Sequence, residues 1–466
     1  MTRTGHGRSA SGRRTTCPSS RSFEPVKKLV VLHIDGLSAD ALRRALDAGH
    51  MPFLRRFIDE EGYEVHPYRC GIPSTTPFAQ AGILYGDNSE IPSFRWWDRE
   101  RAVLVKFGAG STFKKVADKY FEGCRPLTQG GACIAACYPA GAADDFGIAY
   151  HDRTYGVQDR SRSAFGVLLP YLANPVHIGD WAWQTAAMVA RTGRDYVTAR
   201  SEGRRPAPAY VAVDLVEEIF VHHLTRYAVR QAMREGYSPI YAGFYAYDET
   251  AHAFGPADPA SQNVLRHVDH TIEKVAAARQ GRYELVVLSD HGQVETSPFP
   301  LSRMLEKVLP GKLVVTASGG LAHVYVKDSS RRLRLAEVKA RFPQLVSVLT
   351  DLDEIALVMA KDGHEDVMLS KGRDLSAYGE PDVLRAQLKK LNSFANAGDL
   401  IVFGAWREGR QVNFEEQAGG HGSIGGEQLN PFLLARREWG IDLSRVRGAD
   451  ELHPVLCDLR DHLGTG

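Results

Sequence analysis

The apolar residues of this chain fall into short unbroken runs that stop at acidic or histidine residues. Leu29–Ile34 runs into Asp35–Gly36, Ile240–Tyr247 runs into Asp248, and Leu285–Leu288 passes through Ser289 into Asp290–His291–Gly292. Runs of this length without polar alternation predict strands covered on both faces, as in a mostly parallel sheet. Between them the spacing changes to the period of helices, at Ala39–Ala48, Val213–Arg234 and Val264–Arg279. That alternation predicts an α/β fold, a doubly wound, mostly parallel sheet flanked by helices. Ligands gather at the carboxyl ends of strands in such sheets, and the Asp and His residues stand at those ends.

The remaining stretches divide the chain. Residues 1–25 carry Arg3, Arg8, Arg13, Arg14 and Arg21 among Ser, Thr and Gly, which reads as a disordered basic tail. The core is expected over 26–299 and 392–466, with an insertion at about 92–208 whose pattern is hard to assign. A small α+β subdomain is expected over 300–391, with strands at Lys312–Thr316, Ala322–Val326 and Glu354–Ala360. Leu400–Phe414 reads as a hairpin turning near Glu408–Gly409.

Composition narrows the class. The 466 residues are 44% hydrophobic, enough for a sizeable core, and the formal net charge of +1 marks neither a nucleic-acid binder nor a partner for acidic surfaces. The six cysteines (Cys17, Cys70, Cys124, Cys133, Cys137, Cys457) do not make a dense secreted framework, and buried thiols are expected. The best candidate for a membrane span, Ala164–Ala190, is broken by Pro170, Asn174, Pro175, His177 and Asp180, so no transmembrane segment is expected. No apolar run follows Arg13–Arg14 within the tail, so no secretory signal is expected and the expected compartment is cytoplasmic.

The candidate chemistry lies in six residues: Asp35, Asp248, His252, Asp290, His291 and His421. Three carboxylates and three imidazoles suit two divalent transition metals with mixed N and O ligands. Asp248 and His252 are one helical turn apart, Asp290 and His291 are adjacent beyond a strand, and His421 lies among glycines that allow close backbone approach. A nucleophile is expected in Gly71–Gly86. There Thr76 precedes Pro77, and the two read as the N-cap and first position of a helix whose free N–H groups suit phosphate oxygens. Thr75 is a second candidate.

Taken together, Asp35–Gly36, the Thr76 segment, Asp248 with His252, Asp290–His291–Gly292 and His421–Gly422 resemble the alkaline phosphatase superfamily, on its nucleotide pyrophosphatase/phosphodiesterase branch. The resemblance spans roughly residues 27 to 435. It implies one metal held by Asp248, His252 and His421, and a second by Asp35, Asp290 and His291. It implies zinc at both places, with manganese or iron in some relatives, and Thr76 as the nucleophile that forms a phosphothreonine. The implied function is hydrolysis of phosphodiester or nucleotide pyrophosphate bonds in a small-molecule substrate. A phosphomonoesterase or phosphonate hydrolase on the same site, and a non-catalytic binding protein of the same fold, are the alternatives. The chain departs from the branch after the nucleophile, where Pro77–Phe78–Ala79 stands in place of Phe-Pro-Asn, and Asn88 is the candidate phosphate-binding Asn. His267, Asp269 and His270 are expected on a helix surface, His323 as a satisfied strand residue, and Trp96 and Trp97 in packing.

Overall fold

The computed structural model describes residues 27–107, 112–146, 173, 175–203 and 222–464. The expected basic tail, part of the 92–208 stretch and the start of the helix expected from Val213 lie outside the described residues.

A seven-stranded sheet forms the centre, in the order Tyr63–Pro67, Phe432–Arg436, Tyr283–Leu288, Lys28–Ile34, Ile240–Phe244, Ala132–Ile134, Asp144–Phe146. The strands from Tyr283–Leu288 to Asp144–Phe146 pair in parallel, and Phe432–Arg436 runs antiparallel to both its neighbours. Successive side chains of a strand point to opposite faces. Leu29 and Val31 accordingly join one hydrophobic core, and Val30, Leu32 and Ile34 join another. Both faces are buried, which is why these strands carry unbroken apolar runs.

Two three-residue strands, Ala132–Ile134 and Asp144–Phe146, belong to this sheet although they fall in the stretch expected to be an insertion. The strand at Ile240 is also shorter than its apolar run: it stops at Phe244, and a helix begins at Ala246.

A second sheet of five antiparallel strands has the order Leu313–Ser318, Leu321–Val326, Leu400–Gly404, Ile355–Asp362, Glu365–Leu369. Its middle strand was expected as one arm of a hairpin. That hairpin is instead Trp406–Arg407 with Arg410–Asn413, turning at Glu408 and Gly409, and it belongs to a small four-stranded sheet with Val294–Pro298 and Gly419–Gly420. Among the described residues no helix is long and apolar enough to cross a membrane.

Candidate metal centre and nucleophile

The three middle strands of the seven-stranded sheet, Tyr283–Leu288, Lys28–Ile34 and Ile240–Phe244, end side by side. Neighbouring strands are about 4.8 Å apart, so residues just beyond their ends share one crevice. Asp290 and His291 follow the first of these strands and Asp35 the second. After the third, the helix Ala246–Phe254 presents Asp248 and His252 one turn apart. Gly36, at φ +74°, makes the turn after Asp35; a Cβ there would collide with the Asp248 carboxylate. The backbone approaches that closely only because the residue is glycine.

His421 arrives from the opposite direction. Gly419–Gly420 pairs antiparallel with Glu295 and Val294, just beyond His291. The His421 and His291 rings stack with centroids 3.9 Å apart, and His421 Nε2 lies 3.3 Å from His252 Nε2. The turn at Gly319 and Gly320 supports this position: the Gly320 amide donates to the His421 carbonyl at 3.3 Å.

Thr76 opens a ten-residue helix, Thr76–Tyr85, that is buried along its whole length. The cap is Thr75, not Thr76 as expected. Thr75 has extended backbone angles (φ −122°, ψ 143°), and its carbonyl accepts the first helical hydrogen bond, from the Ala79 amide. Thr76 is therefore the first helical residue and Pro77 the second. The Thr76 Oγ1 lies 3.1 Å from His291 Nε2 and 3.5 Å from each Asp35 carboxylate oxygen.

The side chains fit divalent cations. Each of the three imidazoles has its Nδ1 on a backbone carbonyl: His252 on Gly419 at 3.0 Å, His421 on Ser74 at 2.7 Å, His291 on Gly292 at 3.1 Å. A carbonyl only accepts, so each Nδ1 carries a proton and Nε2 is left to face the crevice. The carboxylates are buried, and among the described residues their ion-pair partners are all histidines. Burial, then the charges of Asp290 and Asp248, push the Asp35 carboxyl well above the usual range. Burial also disfavours charge on Asp248 and Asp290, yet facing imidazoles hold both below it: His252 and His421 for Asp248, His291 and His33 for Asp290. Burial lowers His252, but the Asp248 carboxylate 3.0 Å away outweighs it and holds the imidazole up at about 9. Burial and the neighbouring His291 push His421 down to about 3. A crevice of mutually repelling carboxylates and inward imidazole nitrogens is a donor set for divalent metals. Ligand atoms of Asp248, His252 and His421 lie within 4.8 Å of one another, as do those of Asp35, Asp248 and His291, and those of His33, Asp35 and Asp290.

The structure thus brings together Asp35, Thr76, Asp248, His252, Asp290, His291 and His421. It does not bring Asn88. That residue lies beyond the far end of the helix Thr76–Tyr85, which is about 15 Å long at 1.5 Å per residue. Its Nδ2 faces Asp450 at 3.5 Å.

Sequence reasoning missed His33, which interrupts the first strand, and Gln293, whose side-chain amide donates to the Asp248 carbonyl at 2.9 Å and also to its carboxylate. The polar position inside an apolar run was the signal for His33. His323 is satisfied, between the Pro92 carbonyl and the Gly398 amide, both at 3.0 Å. Asp269 accepts from the Phe53 and Leu54 amides, and His267 meets Arg191. Trp96 packs in the core.

A large, mostly parallel central sheet flanked by helices is an alkaline-phosphatase-like fold. The model of the type I phosphodiesterase / nucleotide pyrophosphatase family matches residues 29–134 and 158–407, and the chain belongs to that family. Among solved structures, phosphonoacetate hydrolase from Sinorhizobium meliloti in complex with phosphonoformate is similar, at 16% identity and TM-score 0.53, covering 94% of this chain and 96% of that one. Murine ectonucleotide pyrophosphatase / phosphodiesterase 5 is similar at 14% identity and TM-score 0.53, covering 93% and 95%. An inactive Thr-to-Ala variant of the murine protein, in complex with AMP, is similar at 13% identity and TM-score 0.51. No curated protein matches the sequence significantly. The family is one of metal-dependent phosphoester hydrolases, and the protein is an enzyme of that kind.

Proposed function

We propose that the protein hydrolyses phosphodiester or nucleotide pyrophosphate bonds of a small-molecule substrate, with Thr76 as nucleophile. Asp248, His252 and His421 would hold one divalent ion, and Asp35, Asp290 and His291 the other, with zinc expected at both. The observation that carries this reading is the Thr76 hydroxyl, at the start of a buried helix and within 3.5 Å of both Asp35 and His291.

When bound, the ions would supply Lewis-acid polarisation and make the threonine hydroxyl acidic enough to react near neutral pH. The chain's own groups do the rest. The N–H groups of a helix's first turn have no partner within the helix and suit phosphoryl oxygens; here they are those of Thr76 and Phe78, since Pro77 has none. The Thr76 oxygen forms a bond to phosphorus as the bond to the leaving alcohol or phosphate breaks. Water then cleaves the Oγ–P bond, releasing the phosphoryl product and restoring the hydroxyl.

The similarity to phosphonoacetate hydrolase supports a second reading, a phosphonate or monoester hydrolase on the same site. The test compares a chromogenic phosphodiester, a phosphomonoester and phosphonoacetate as substrates. Wild type and Thr76→Ala are each stripped of metal and reloaded with zinc or manganese. Diester turnover that needs both metal and Thr76 is the expected result. Faster turnover of either other substrate would move the protein to the second reading, and two bound ions without turnover would favour a binding role.

A further inference from the structure

His33 is fully buried two residues before Asp35, and its place in the strand turns it, with Leu29 and Val31, toward the face that packs the Thr76–Tyr85 helix. Its surroundings determine where its proton sits. The Cys137 amide donates to Gln80 Oε1 at 2.8 Å, which fixes the orientation of the Gln80 side chain. Gln80 Nε2 is then the donor group, 2.9 Å from the Tyr245 hydroxyl and 3.4 Å from His33 Nδ1. The Tyr245 hydroxyl donates onward to the Ala135 carbonyl at 2.9 Å, so it accepts from Gln80. Facing an amide donor, His33 Nδ1 offers its lone pair, and the ring proton belongs on Nε2. Nε2 lies 3.0 Å from Asp290 Oδ1.

The same Oδ1 accepts from the His291 amide at 2.9 Å and from the Gly36 amide at 3.5 Å. The other oxygen, Oδ2, is buried without a hydrogen-bond partner among the described residues and lies 3.5 Å from His291 Nε2. One oxygen of Asp290 is therefore held by two backbone N–H groups, with His33 Nε2 3.0 Å from it, and the other is left for the crevice.

We propose that His33 is a positioning residue: its Nε2–H holds Asp290 Oδ1 so that Oδ2 is presented to a metal ion, and Gln80, one turn beyond Thr76, sets the tautomer that makes this possible. The inference rests on Asp290 being a ligand, as the proposed function has it. It assigns His33 itself to support rather than coordination, because its inward nitrogen carries the proton. It also links the strand that leads into Asp35 to the helix that opens at Thr76.

The test titrates metal-free full-length protein with zinc against a chromogenic chelator and counts ions and affinities. Wild type should bind two ions. His33→Leu should weaken one by about 10–100-fold, the range for loss of a partner that orients a ligand, and leave the other unchanged. His33→Gln, whose amide N–H reaches toward the same oxygen, should recover to within about fivefold of wild type, since the donor is restored. Gln80→Glu puts an acceptor against Nδ1 and should weaken the same ion. Nitrogen-15 imidazole shifts of metal-free wild type should show the proton of His33 on Nε2. This measurement decides the matter if His33→Leu does not fold. A proton on Nδ1, or two ions bound with wild-type affinity in a folded His33→Leu, would overturn the inference and leave the proposed function standing. Wild type binding no ion would overturn both.

Discussion

At the scale of single residues, the two adjacent threonines are separated by where they fall in the helix. Thr75 is the cap, and its hydroxyl is buried without a hydrogen-bond partner among the described residues; Thr76 faces His291 and Asp35. Thr76→Ala should lower kcat/KM by on the order of 10³ or more, about 4 kcal/mol of barrier, whereas Thr75→Ala should stay within about tenfold of wild type. Steady-state kinetics on the preferred substrate checks this, and equal losses would show that position in the helix does not select the nucleophile. Gly36 is as tightly constrained. Alanine there would meet a positive φ and the Asp248 carboxylate at once. Gly36→Ala should weaken the ion proposed at Asp248, His252 and His421 by about tenfold or more, with a strain cost of roughly 1–2 kcal/mol in stability. Chelator competition and urea unfolding measure the two effects, and undiminished metal affinity would mean that the helix of Asp248 shifts freely.

At the scale of elements, the helix Pro52–Glu61 has no side-chain cap of its own: Met51 precedes it, and the Asp269 carboxylate, from the helix Pro259–Ala278, accepts from its Phe53 and Leu54 amides at 2.9 and 2.8 Å. Asp269→Ala should therefore cost about 1 kcal/mol of stability, as other cap losses do, and leave kcat/KM unchanged. A fall in activity at unchanged stability would contradict the assignment. This contact also shows what the sequence could and could not express. The parallel strands were legible because burial on both faces leaves long apolar runs, and their abrupt ends pointed to Asp35, Asp248, Asp290 and His291. Ala132–Ile134 and Asp144–Phe146 were not, because three residues are too few to show a period. The two-residue strand Gly419–Gly420 gave no signal at all, and the glycines around His421 marked it only as close to something. Asn88 looked near to Thr76 in sequence, but a full helix separates them. Asp269 looked like part of a surface motif because a cap supplied from another helix has no local spacing.

At the scale of the whole molecule, the five-stranded sheet bears on the candidate metal centre through the Gly319–Gly320 turn against His421, so what anchors that sheet matters for the site. His323, on the strand Leu321–Val326, is one anchor. Its Nε2–H donates to the Pro92 carbonyl, and its Nδ1 accepts from the Gly398 amide. A second ring proton would set N–H against N–H. Burial outweighs the opposing hydrogen bond to the Pro92 carbonyl and, with smaller help from the charges of Arg332 and Arg99, lowers this imidazole to about 3. An exposed histidine in the unfolded chain titrates near 6.5. Between those two values the unfolded chain binds a proton that the folded chain does not, so stability falls as pH falls. The contribution is fully present above about pH 6.5 and is lost progressively toward pH 3, at up to about 1.4 kcal/mol per pH unit. His323→Asn, which keeps an acceptor for the Gly398 amide but does not titrate, should be less stable than wild type at pH 7. The gap should narrow steadily as pH falls toward 4. Urea unfolding of the metal-free proteins at a series of pH values measures it, with metal ligation removed as a competing source of acid sensitivity. Two parallel stability curves would mean that His323 takes up its proton in the folded state, and that this anchor is not what makes the sheet sensitive to acid.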